Sequence, residues 1–325
     1  MNALVLSPHR HQILIECLAQ RATLRATSTH FRLYALGQSG TPETDLAAHP
    51  GSSELVIVHS FAPTQIDNNI GYYVANELLP LLDSNRQADF EHLVGAIVRS
   101  IHGDEPCAWH LFYANSLAAL QQAMVQPEAV PDFIWPFGAI YERAMSLVRG
   151  ETLLDAGTCF GFFPLLLAEG AAGRQRTSPP VDGGCTTAPP LRRIVGCDRD
   201  PALIKLAGTY AARQELDQVS FVVTDILAED VAQLGTFDTV TCMHVLEHLP
   251  PEQTIPALTS LWQRTRQRLI IGVPLEATPD PRFGHLQVFG RERLLELGRR
   301  LDADCQYMAF HGGWLVLNRK AVGDG

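Results

Sequence analysis

A chain of 325 residues with 46% hydrophobic content has ample material for a packed core, which excludes global disorder. Its net charge of −10 argues against a general nucleic-acid surface. No run reaches the ~18 apolar residues of a membrane span, and Met1 to Ser7 leads directly into His9, Arg10 and His11 without a basic leader or cleavage site, so a cytoplasmic protein is expected.

Residues 1–135 form a region of their own composition. Phe31 to Leu36 and Glu54 to Ser60 read as short strands, joined by the Gly/Pro/Thr-rich stretch Gly37 to Ser53. Helical patterns follow over Gly71 to Asp83, Asn85 to Ile101 and Pro106 to Val125, the last opened by a proline and stopped at Gln126-Pro127. Asn115 is a polar group on that apolar helix and is expected to be a satisfied amide. The region is expected either to cover a cofactor cleft and touch substrate, or to act as a stabilising cap.

The second domain is expected over residues 136–325. Tyr141 to Arg149 is a helix feeding an apolar strand that ends in Asp155, followed by the small-residue turn Gly157-Thr158-Cys159-Phe160-Gly161 and a long apolar helix. Glycines permit a tight turn there, and helix amides can then face an anionic group. The Gly-x-x-x-Gly spacing is not the dinucleotide fingerprint. Residues 173–191 are a Pro/Gly/Thr/Ser-rich insertion, expected to be mobile or disordered, and the sequence assigns it no function.

Arg193 to Asp198 is a second strand ending in an acid, followed by Arg199; an acid there commonly holds ribose hydroxyls. Val219 to Ile226 is a third, closing on Asp225-Ile226, and Thr236 to Met243 a fourth, running into His244-Val-Leu-Glu247-His248. A helix over Pro251 to Arg264, a fifth strand over Arg268 to Pro274, a helix over Gly290 to Leu301, and the pair Cys305 to Phe310 and Trp314 to Asn318 complete the domain. The arginine clusters at 264–268 and 291–300 read as solvated helix faces. Seven scattered cysteines without a Cys-x-x-Cys pair suit reduced thiols rather than a disulfide framework.

In this order the four motifs resemble the class I S-adenosylmethionine-dependent methyltransferases, over about residues 137 to 319. The resemblance implies an α/β, Rossmann-like, mostly parallel sheet with an antiparallel C-terminal strand, here preceded by an N-terminal α+β extension. It implies a cofactor site in which Asp155, Gly157, Thr158, Cys159 and Gly161 surround the methionine part. Asp198, beside Arg199, would hold the ribose, Asp225 and Ile226 would face the adenine, and His244 would lie near the methyl. Cys159 departs from the family's usual middle glycine.

A hydroxyl acceptor needs a general base, a metal ion, or both. On a helical turn His244, Glu247 and His248 would share one face at the strand end nearest the methyl. The same letters spell a metalloprotease pattern, but Pro250 and Pro251 interrupt the continuous helix that pattern requires. Ubiquinone-pathway and small-RNA 2′-O-methyltransferases carry a similar Glu-x-x-Glu-His run that binds a divalent metal. By that resemblance His244, Glu247, His248 and a later histidine, His285, would be ligands. A metal-free helix cap is the other reading.

Trp109 to Leu117, Cys159 to Ala168, His244 to Leu249, Phe283-Gly-His285 and His311 to Leu317 together resemble the mycofactocin oligosaccharide methyltransferases. That implies O-methylation of a sugar hydroxyl, with an oligosaccharide or small-molecule acceptor and no nucleic-acid or membrane partner. Two other readings stay open: a natural-product small-molecule or peptide N/O-methyltransferase, and a non-catalytic cofactor-binding protein on the same fold. The sequence does not fix the oligomeric state.

Overall fold

Two separately packed units emerge from the computed structural model, which describes residues 3–36, 55–126, 134–171 and 191–320. One comprises Met1–Ala119 with Pro281–Phe283, the other Leu120–Asp280 with Gly284–Gly325. This division falls inside a helix and differs from the 135/136 boundary expected from composition. The connection at 37–53 and nearly all of the insertion at 173–191 lie outside the described residues.

The first unit contains a four-stranded sheet of Ala3–Leu6 (β1), Thr23–Thr27 (β2), Phe31–Ala35 (β3) and Leu55–His59 (β4), in the order β1-β4-β3-β2. β1 pairs with β4 in parallel, and β3 pairs antiparallel with both of its neighbours. Leu6, Tyr34, Val56 and Val58 are buried together with Leu18 of the helix Pro8–Arg21 (α1). Neither β1, α1 nor β2 is evident in the sequence. The helix expected over 71–83 is broken into Asn69–Tyr73 (α2), a π-helical turn Val74–Leu78 and Leu79–Leu81 (α3). Gln87–Ser100 (α4) and Glu105–Val125 (α5) follow. Asn115 is satisfied as expected: its Nδ2 donates to the carbonyls of Pro63 and Ile66 at 2.9 and 3.0 Å.

After Ile134–Leu147 (α6), the second unit alternates strand and helix: Thr152–Ala156 (β5), Phe162–Ala171 (α7), Arg193–Asp198 (β6), Pro201–Arg213 (α8), Val219–Val223 (β7) and Phe237–Met243 (β8). Thr254–Arg264 (α9), Thr265–Val273 (β9), Arg291–Arg299 (α10), Asp304–Ala309 (β10) and Gly313–Asn318 (β11) complete it. The sheet order is β10-β11-β9-β8-β5-β6-β7, parallel except for the antiparallel pairings of β11 with β9 and β10. This is the doubly wound sheet with antiparallel C-terminal strands that the motifs imply.

Because crossover helices cover parallel strands, the central ones read as continuous apolar runs. Leu154, Val195, Val240 and Ile271 accordingly lie in one core cluster with Leu258 and Trp262 of α9. Trp314 is likewise buried, its Nε1 donating to the Phe310 carbonyl at 2.7 Å. Local signals set the helix starts: Asp200 Oδ1 accepts the amide of Ala202 at 2.7 Å, and Pro201 occupies the first helical position of α8. The strand order reverses between β5 and β8, so the loops after these strands flank the crevice where ligands of open α/β sheets bind.

Candidate active site

The turn after β5 is built around three residues in the left-handed region, Gly157 (φ 71°), Cys159 (φ 51°) and Gly161 (φ 72°). The amides of Gly157 and Thr158 both donate to the Cys197 carbonyl, at 2.8 and 2.9 Å, so the turn wraps over the end of β6. A Cβ on Gly157 would lie 2.3 Å from Val245 Cγ2 of the loop after β8. The second glycine position is equally tight, with Phe221 Cε1 at 2.5 Å from a Cβ on Gly161. Cys159, the departure from the family pattern, takes a backbone conformation glycine would adopt freely, at a cost of about 1–2 kcal/mol.

Asp155 lies buried beneath the turn, accepting hydrogen bonds from Thr241 Oγ1 at 2.6 Å and Thr158 Oγ1 at 2.7 Å. Burial pushes its carboxyl up to about 6 despite those two donors. Asp198 ends β6, half-buried, with Oδ2 accepting the Cys159 amide at 2.9 Å and Oδ1 the Asp200 amide at 3.0 Å. Each oxygen keeps a second lone pair, so the carboxylate is fixed in direction yet able to accept a diol. Arg199 is exposed beside it. Asp225 follows β7 half-buried, its Oδ1 accepting the Leu227 amide at 2.8 Å, and Ile226 is buried in the core cluster. The donor set suits a nucleoside cofactor: an oriented carboxylate for a ribose, an apolar residue beside an acid for a base, and a glycine turn facing both.

The segment after β8 departs from the expected helical turn. His244 takes φ 56°, and only Leu246–His248 form a short 3-10 turn before Pro250 and Pro251. The left-handed residue swings His244 out of a common face. Its ring packs on Phe137 at 5.7 Å, with Nδ1 3.3 Å from Glu247 Oε1.

Glu247 is fully buried, and neither carboxylate oxygen has a hydrogen-bond partner. Glu247, His248 and His285 each place one donor atom within 4.8 Å of the others; His244 is not part of that trio. The His248 and His285 rings meet edge to face at 4.9 Å. Burial holds the His248 imidazole below its usual value, opposed by the charge of Glu247. An orphaned buried carboxylate beside two imidazoles is a donor set of the kind that takes a divalent ion.

Two further residues shape this cluster and give no signal in the sequence. Glu276 Oε2 lies 2.8 Å from His285 Nδ1, which orients the imidazole. Buried Gln287 donates from Nε2 to the carbonyls of Leu246 and Leu249 and to Thr254 Oγ1, at 2.9, 2.7 and 2.9 Å. The Leu286 amide donates to the Glu247 carbonyl at 2.7 Å, bringing His285 against Glu247 and His248 from a distant segment.

Residues 185–268 match the family model described as a methyltransferase domain. A ubiquinone biosynthesis O-methyltransferase of Xanthomonas euvesicatoria pv. vesicatoria (strain 85-10) is 40% identical over 72 residues, 21% of this chain. The chain therefore spans only 29% of that relative's length. Among solved structures, magnesium protoporphyrin IX methyltransferase from Synechocystis PCC 6803 with bound SAM has a TM-score of 0.41 at 17% identity, over 80% of this chain and 99% of that one. A SAM-dependent methyltransferase from Archaeoglobus fulgidus has 0.41 at 15% identity, over 56% and 92%. No helix among the described residues is long and apolar enough to cross a membrane.

Proposed function

We propose that this chain is an S-adenosylmethionine-dependent O-methyltransferase acting on a hydroxyl of an oligosaccharide or similar small acceptor. The observation that carries the reading is the buried Glu247 carboxylate, without a hydrogen bond to either oxygen, beside His248 and His285, in the loop that follows β8 next to the glycine turn. A metal-free cap would leave that carboxylate with no hydrogen bond and only the ion-pair contact from His244 Nδ1 at 3.3 Å. The methyltransferase-domain match and the acids closing β6 and β7 support the cofactor.

The cofactor would supply a methyl group on a sulfonium, ready for in-line displacement. Asp198 would accept from its ribose hydroxyls, Asp225 and Ile226 would receive the adenine, and Gly157 and Gly161 would let backbone approach the methionine part. The chain's chemical task is then the acceptor proton. His248, whose proton affinity burial lowers, can take it directly. Alternatively, Glu247, His248 and His285 would hold a divalent ion that acidifies the hydroxyl, with Glu276 orienting His285. His244 faces Glu247 and Phe137, where it would position the carboxylate. The motif resemblance to mycofactocin oligosaccharide methyltransferases favours a glucose-type hydroxyl as acceptor.

The test is incubation of purified protein with methyl-labelled cofactor and glucose-type oligosaccharides, with and without added divalent ions. One methyl per acceptor on oxygen is expected. Tight cofactor binding with no transfer to any hydroxyl, or transfer to nitrogen alone, would overturn the assignment.

A further inference from the structure

The turn between α4 and α5 carries a second group of side chains placed as a metal ion would need them, composed of other residues than the Glu247 cluster. His102, Asp104 and Cys107 each place one donor atom within 4.8 Å of the others. Around a single tetrahedral ion with bond lengths of about 2.0–2.3 Å, ligand atoms sit about 3.5 Å apart. Small rotamer movements of exposed side chains cover the difference. His102 and Asp104 are exposed and Cys107 half-buried, so an ion has direct access.

The turn is held before any ion arrives. Arg10 on α1 donates from Nη1 to the carbonyls of His102 and Ser100, at 2.8 and 3.2 Å, which fixes the backbone on either side of Ile101. The Asp104 amide lies 3.0 Å from His102 Nδ1, and the Asp104 carbonyl lies 3.1 Å from the same nitrogen. The amide donates to Nδ1 when that nitrogen is unprotonated; an imidazole bound to an ion through Nε2 would carry its proton on Nδ1 and donate to the Asp104 carbonyl instead. Asp104 Oδ2 accepts the Cys107 amide at 3.1 Å, aligning the carboxylate with the first turn of α5. Cys107 itself sits in that turn.

The donor chemistry selects the ion. Thiolate and imidazole favour zinc-like metals over magnesium or calcium, which take oxygen ligands. A thiolate and a carboxylate together neutralise a divalent charge, and three protein ligands leave one position for water. We propose that His102, Asp104 and Cys107 bind a thiophilic divalent ion of the Zn²⁺ class, fastening the α4–α5 turn to the start of α5.

Cobalt(II) titration of the full, reduced and metal-stripped protein tests this, because a cysteine ligand gives a thiolate-to-cobalt charge-transfer band that oxygen and nitrogen ligands cannot. One equivalent of that band is expected, displaced by Zn²⁺. Cys107→Ser should abolish it, and His102→Ala should weaken binding at least tenfold. Asp104→Asn, which preserves the helix cap because asparagine caps equally well, should also weaken binding and so separates ligation from folding. Glu247→Gln should leave the band intact, since it touches only the other cluster. No band in the parent protein, or a band that survives Cys107→Ser, overturns the proposal.

Discussion

The amide of Cys159 donates to the Asp198 carboxylate at 2.9 Å, so the turn after β5 and the acid after β6 hold each other in place. Asp198, the proposed ribose anchor, is therefore also a loop anchor. Asp198→Ala removes both roles, and hydrogen bonds to a charged group are worth about 1.5–3 kcal/mol each. Cofactor affinity measured by calorimetry should fall at least tenfold. An unchanged dissociation constant would remove Asp198 from the site.

Glu247 is buried with no hydrogen bond to either oxygen, a situation that normally costs stability. Glu247→Gln removes the charge at nearly constant volume and should leave the melting temperature unchanged or slightly higher without metal. In a Cys107→Ser background, which silences the α4–α5 turn, the protein should gain stability on adding a divalent ion, about 2.7 kcal/mol at a hundredfold excess over the dissociation constant, and the added Glu247→Gln change should remove that gain. A clear loss of metal-free stability in the variant would instead give the carboxylate a structural role.

His248→Ala should lower turnover by about 10²–10⁴-fold, the usual worth of base catalysis, with cofactor affinity nearly unaltered. Burial lowers the imidazole's proton affinity, so the neutral form persists below the ordinary histidine range. Activity should hold as pH falls through about 6.5 and decline only further down. Chelator treatment divides the two roles: loss restored by a divalent ion marks ligation, and persistence marks direct base catalysis. Near-normal turnover of the variant in chelator would dismiss both.

Asp155 gives a pH signature of stability. Its folded-state carboxyl is raised to about 6 from 3.8, chiefly by burial, so the unfolded chain releases this proton more readily. Stability from this group is complete below about 4, declines as pH rises toward 6 and is then level, a total of about 3 kcal/mol. Asp155→Asn should flatten that part of the melting-temperature profile. A wild-type slope retained in the variant would place its origin elsewhere.

The larger sheet was legible because its central strands are buried apolar runs closed by a turn residue or an acid, as at Asp155 and Asp198, while the part-buried edge strand β7 is marked by Asp225 just beyond it. The N-terminal sheet was not. β2 is an exposed edge strand with no alternation, and β1 pairs with β4 across about fifty residues, which no local pattern encodes. Within the site, the positions of Glu247, His248 and His285 followed from motif resemblance, but their geometry did not. The positive φ of His244 broke the assumed helical spacing. Glu276 and Gln287 carry no motif, since their roles come from contacts made only after the chain folds back.

Gln287 bonds the carbonyls of Leu246 and Leu249, the former 41 positions away, while Leu286 bonds Glu247. Grafting the His-x-x-Glu-His stretch into another sheet of this kind would transfer side chains without their setting. A working transplant must carry residues 276–289 as well, with the connection after β9 kept at its native length. Insertions there should be tolerated far less than their loop location suggests, because a change in register would pull His285 away from Glu247 while leaving the sheet intact.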